Sequence, residues 1–83
     1  MVVTANLRDV SIAYTSTDMT TVSVFAVGDG GLILHFDGAA WSRMNSGTTA
    51  DLNAIAAFPD GSAMAVGAGG TTLFYDTSSW SAQ

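Results

Sequence analysis

The chain says almost the same thing twice. Ala26–Ser42 reads AVGDGGLILHFDGAAWS and Ala65–Ser81 reads AVGAGGTTLFYDTSSWS, and nine of these 17 positions agree at an offset of 39. The correspondence continues upstream, where LRDVSIAY from Leu7 matches LNAIAAF from Leu52. Leu7 precedes Ala26 by 19 positions and Leu52 precedes Ala65 by 13, so the first repeat carries six more residues. The stretch TSTDMTT, residues 15–21, is the natural place for them. A period near 40 residues points to stacked units, each too small to bury its apolar surface alone.

The pattern within each repeat selects the kind of unit. VSVFAVG, LILHFDG, AMAVGAG and TTLFYDT are short, rich in β-branched or aromatic residues, and bounded by Gly, Asp or Ser. No stretch spaces apolar residues at i, i+3, i+4 and i+7 over a helical length, which excludes helical repeats. Four strands are expected in repeat 1: Val10–Tyr14, Val22–Val27, Leu32–Phe36 and Ala40–Met44. Four more are expected in repeat 2: Ala54–Phe58, Ala63–Val66, Thr72–Tyr75 and from Trp80 onward. GDGG and GAGG turn the chain between second and third strands, and Asp37-Gly38 turns it between third and fourth. Pro59-Asp60-Gly61 turns it between first and second in repeat 2. Four antiparallel strands in about 40 residues describe a β-propeller blade. The expected fold is therefore all-β, with two four-stranded blades per chain: blade 1 over 7–46 and blade 2 over 47–83.

AVGDGGLILHFDGAAW resembles a propeller repeat of the form (V/W)AVG-x-x-G-x-I-L-x-x-D-G-x-x-W. SGTTADLNAI (Ser46–Ile55) is similar to the linker such repeats place before the next blade. Asp37-Gly38-x-x-Trp41 and Asp76-x-x-x-Trp80 also resemble a degenerate Asp-box, the hairpin motif of sialidase-like and photosystem-assembly-factor-like propellers. The Ser or Thr of that motif is His35 in one copy and Phe74 in the other. The resemblance spans nearly the whole chain and implies a fold; propellers host unrelated activities, so it implies no one function.

Two blades do not close a propeller, which takes about 4–8. The expected completion is a homo-oligomer, a trimer before a tetramer, joined head to tail. Residues 1–6 are expected to act as a strand complementing the last blade of a neighbouring subunit, whose outer strand is cut short after Trp80. The small residues Ala26, Ala63 and Ala65 and the neighbouring valines are expected to be buried on the inner strands. On this view Trp80, near the chain end, is covered by the neighbour's N-terminal strand.

Composition narrows the function classes. All seven acids are Asp, the only bases are Arg8 and Arg43, and the formal charge is −5. So few cations argue against nucleic acid and against anionic membranes as partners. No apolar run reaches the length of a spanning helix and no signal peptide is visible, which leaves the compartment open. There is no Cys and one His, so neither a disulfide nor a zinc site is expected, and no cofactor is implied.

The candidate residues divide into architectural and chemical sets. Gly28, Gly30, Gly31 and Asp37, with their repeats Gly67, Gly69, Gly70 and Asp76, are expected to make turns, the carboxylates accepting backbone N–H bonds. Trp41, Trp80, His35 and Arg43 are the candidates for touching a ligand. The tryptophans offer stacking surfaces for a carbohydrate, or else pack between blades. His35 has a side chain suited to proton transfer but stands where repeat 2 has Phe74, with no G-x-S-x-G or Cys beside it. GDGG lacks the helix and Lys of a phosphate loop. The loop 15–21 interrupts the repeat and is a further binding candidate. Sialidase-like catalysis needs an arginine cluster, and two arginines per chain disfavour it. The expected function is a non-enzymatic binding or scaffold module with a carbohydrate or protein ligand; a lectin is the alternative.

Overall fold

The computed structural model describes residues 5–14 and 22–83. The loop 15–21 and residues 1–4 lie outside them, so the binding expected of that loop and most of the expected N-terminal strand lie outside the described residues.

Eight strands form two four-stranded antiparallel sheets, with no α-helix among the described residues. Sheet 1 runs β1 (Leu7–Tyr14), β2 (Val22–Gly28), β3 (Ile33–Phe36), β4 (Trp41–Met44) in spatial order. Sheet 2 runs β5 (Leu52–Ala57), β6 (Ala63–Gly67), β7 (Thr71–Tyr75), β8 (Trp80–Ala82). Each sheet is a meander, with strands consecutive in the chain lying side by side. The linker 45–51 joins the sheets and contains the boundary expected between the repeats. Ala5 and Asn6 precede β1 without strand structure.

The repeat survives in detail. Leu7 pairs with Gly28 and Leu52 with Gly67, and the register slips just after each leucine. The Asp29 N–H donates to Asn6 O at 3.0 Å, and the Ala68 N–H donates to Asp51 O at 2.9 Å. A Cβ at Gly28 would lie 2.1 Å from Asn6 O, and one at Gly67 would lie 2.1 Å from Asp51 O. Only glycine permits that approach. Gly30 and Gly69, at φ of 71° and 69°, turn the chain into the third strand.

Side chains alternate across each strand, so each sheet has two faces. Phe25, Val27 and Ile33 of sheet 1 pack against Leu52, Ile55, Ala63, Ala65, Leu73 and Trp80 of sheet 2 in one buried cluster. Ala26, Leu32 and Leu34 form a second, smaller cluster, with Ala5 packed on it. Val27 is buried as expected, but its repeat Val66 is 41% exposed. The cause is register: Val66 stands opposite Ala54 and Thr72, on the face of sheet 2 turned away from sheet 1.

Candidate functional site

The two hairpin aspartates do what turn chemistry asks of them. Asp37 Oδ1 accepts the N–H groups of Ala39 at 2.9 Å and Ala40 at 3.0 Å. Asp76 Oδ1 accepts those of Ser78 at 2.8 Å and Ser79 at 2.9 Å. These bonds hold both carboxyls below the ordinary Asp value, because a charged acceptor is favoured where N–H groups converge.

The tryptophans are equivalent in their sheets and opposite in their surroundings. Trp41 stacks obliquely on Phe36 at 5.3 Å, and Trp80 stacks on Tyr75 at 5.2 Å. Trp80 is 8% exposed, with Phe25 of sheet 1 edge-on at 5.9 Å and its indole N–H directed at Met44 Sδ at 3.4 Å. Trp41 is 45% exposed. The expectation that a neighbouring subunit's strand covers Trp80 is therefore corrected. Sheet 1 of the same chain covers it, because the linker folds the two sheets face to face.

His35 lies at one end of the junction between the sheets. Its ring sits 4.5 Å from Phe25, and Nε2 is 2.7 Å from Ser23 Oγ. Burial lowers its pKa, opposed in part by the charge of Asp37. A groove of about 340 Å³ opens here, with Asp60, Tyr75 and Thr77 on the opposite wall. Asp60 accepts both the N–H and the hydroxyl of Ser62, at 2.9 and 2.6 Å. Asp37 directs its hydrogen bonds to its own turn, and among the described residues no carboxylate is hydrogen-bonded to the His35 ring.

A second groove, about 360 Å³, follows the junction along its outer side. Arg43, Ser42 and Asn45 line one wall, and Tyr75, Ser79 and Trp80 the other. Of the four expected ligand contacts, this groove brings together Arg43 and Trp80. Trp41 and His35 lie elsewhere.

A third polar set was not singled out by sequence reasoning. At the Gly-rich end of the junction, Arg8 Nε donates to Asp29 Oδ1, and Arg8 Nη1 reaches Asn53 Oδ1 at 3.4 Å. Asp51 Oδ1 accepts the Gly30 N–H at 2.8 Å. The inner edge of β5 is closed in the same way. Asp9 Oδ2 accepts the Ile55 N–H at 2.9 Å and Ser11 Oγ accepts the Ala57 N–H at 3.0 Å. The signal was in the sequence as departures from the repeat. Arg8, Asp9, Ser11 and Asp29 stand where the second repeat has Asn53, Ala54, Ala56 and Ala68. Arg8, Asp9 and Ser11 fasten sheet to sheet, with Asp29 holding Arg8 from within sheet 1, and no metal-ligating group of three His, Cys, Asp or Glu occurs among the described residues.

Comparison with protein-family models, with curated proteins and with solved structures gave no match.

Proposed function

We propose that the two sheets are neighbouring blades of a β-propeller, and that copies of the chain assemble head to tail into a non-enzymatic binding or scaffold module. One observation carries this reading. The face that sheet 2 buries is made of Ile55, Ala65, Leu73, Tyr75 and Trp80. Its repeat equivalent on sheet 1 is Val10, Ala26, Leu34, Phe36 and Trp41, on the face turned away from sheet 2. On that face Val10, Ile12, Tyr14 and Trp41 are each at least 45% exposed, while Ala26 and Leu34 are buried in the smaller cluster beside Ala5. An apolar sheet face of this kind marks an interaction surface. The packing seen inside the chain is one that the same surface already accepts.

Mass in solution tests it. Light scattering is expected to give three or four times the chain mass, six or eight blades being within the usual range. A monodisperse monomer at all concentrations would remove the reading.

The outer groove favours a second reading, a carbohydrate-binding module. Arg43, Asn45 and Ser79 offer hydrogen bonds to hydroxyls beside the rims of Tyr75 and Trp80. The site is then one mixed groove, since Trp80 is too buried to be a stacking platform by itself. A glycan array with the native chain and Arg43→Ala decides this: ligand binding lost in the variant supports it, and an array without hits removes it.

A further inference from the structure

We infer that the outer face of sheet 2 seats on the outer face of sheet 1 of a second copy in the register of the internal junction, with its own set of polar contacts. The inference rests on the head-to-tail assembly proposed above and specifies its joint.

The register follows from the repeat. First strands correspond at an offset of 45 and the other three at 39, as the shared pairing irregularities show. Every contact from sheet 1 to sheet 2 therefore names a contact from sheet 2 to sheet 1 of the next copy. Trp80 lies edge-on to Phe25 and directs its N–H at Met44. At the joint, Trp41 of the next copy meets Met64, and its indole N–H meets Gln83, whose amide oxygen is a better acceptor than a thioether. Asp51 accepts the Gly30 N–H. At the joint, Asn6 of the next copy accepts the Gly69 N–H; its amide nitrogen is already given to Asp29 within its own chain, and its amide oxygen has no partner among the described residues. Met64 and Val66, both more than a third exposed, acquire the apolar cover that Phe25 and Val27 have.

The joint also lacks something the junction has. Asp9 and Ser11 close the edge N–H groups of Ile55 and Ala57. The corresponding donors are Val10 and Ile12, and the corresponding acceptor positions are Ala54 and Ala56, which accept nothing. The joint is thus weaker than the junction at the inner edge, and can be strengthened there.

Cysteine pairing tests the register in a chain that has no cysteine of its own. The 3.0 Å bond from the Ala57 N–H to Ser11 Oγ keeps those two Cα atoms within about 7 Å, near disulfide range. Ser11→Cys with Ala57→Cys is the internal control and closes within one chain. The joint equivalent is Ala56→Cys with Ile12→Cys, which sit on opposite outer faces of one chain. Oxidation of this variant is expected to link chains into covalent multimers matching the native mass, while either single variant leaves the multimers absent. Native-mass oligomers that stay unlinked while the control closes would overturn the register and leave assembly standing. A monomeric native chain would overturn both. Separately, Ala54→Asp with Ala56→Ser copies the missing acceptors onto the joint. It is expected to lower the dissociation constant of the assembly by about tenfold or more, the worth of one charge-assisted and one neutral hydrogen bond. Unchanged or weaker association would count against the inferred contacts.

Discussion

Leu7 and Leu52 open the first strands of their sheets, pair with Gly28 and Gly67, and precede the same slip in register, yet Leu52 is fully buried and Leu7 is 52% exposed. Nothing local separates them. The difference lies in what each face meets: Leu52 stands in the cluster between the sheets, and Leu7 stands on the side away from it. Trp80 and Trp41 differ in the same way. One pattern encodes both sheets, and burial depends on the neighbour. In this chain, then, exposure of an apolar residue marks the sheet face that the other sheet does not cover.

The sharpest way to break the comparison is at the glycines before the third strands. Gly31 and Gly70 share a left-handed φ, 79° and 77°. A Cβ at Gly31 would lie 2.0 Å from Thr48 O of the linker, whereas nothing lies within 4 Å of one at Gly70. Ser46 fixes the linker there, its hydroxyl donating to Thr48 O at 3.1 Å. Gly31→Ala should therefore abolish folding, since backbone must move. Gly70→Ala should cost only the left-handed penalty of about 1–2 kcal/mol. Circular dichroism melts of the two variants are the check, and equal losses would mean the linker does not hold sheet 1 as described.

Next in size are the leucines. Leu52→Ala should lose about 2–5 kcal/mol by denaturant unfolding, the cost of a cavity in the core between the sheets. Leu7→Ala should change the unfolding of dilute, dissociated chain very little and weaken association instead. If Leu7→Ala destabilises dilute chain as much as Leu52→Ala, the two faces are not different in the way their burial indicates.

Much of this was legible beforehand. Strand number, order and turns follow from alternation and from Gly, Asp and Pro, because those signals are local. The strand starts were less so. β1 and β5 begin at Leu7 and Leu52 rather than at Val10 and Ala54, since a pairing irregularity follows each leucine and breaks the alternation the eye relies on. The turn role of Asp37 and Asp76 was visible as an Asp two and three residues before free N–H groups. The fates of Val66 and Trp80 were not. Both depend on which face of a sheet meets the other sheet, and identical repeat positions carry no such information. The polar fasteners Arg8, Asp9 and Ser11 were hidden for the opposite reason: attention to what the repeats share passes over the positions where they differ.

The tryptophans sharpen the comparison without altering stability much. With Trp41→Phe, Trp80 is the only indole and should emit at short wavelength at every concentration, because its cover comes from its own chain. With Trp80→Phe, Trp41 should emit at long wavelength when dilute and shift to the blue as copies associate. A concentration-independent spectrum from Trp41 in native-mass oligomers would place it away from the joint.

The smallest effects belong to the two aspartate turns, where the sheets should not differ at all. Asp37 and Asp76 are solvated and bonded to the corresponding two following N–H groups, and only Asp37 also feels the charge of His35 once acid protonates it, so at neutral pH neither turn depends on what the sheet faces meet. Their folded-state pKa values lie below the ordinary value near about 3.9. A depressed carboxylate stabilises the fold above its unfolded pKa, and that stabilisation is lost as pH falls through the lowered folded value. Acid should thus erode both turns only below the ordinary Asp range. His35, lowered by burial, loosens the sheet junction earlier, as pH falls through the ordinary histidine range towards its lowered value. Asp37→Ala and Asp76→Ala should lower the melting temperature at neutral pH by a few degrees or less, by the same amount, and each difference from the native chain should shrink in strong acid. Replacing His35 with Phe, the residue its repeat carries, together with Ser23→Ala should remove the earlier step and leave the acid step in place. Unequal losses for the two aspartates at neutral pH would show that one turn has a second partner, and the larger loss would say which sheet holds it.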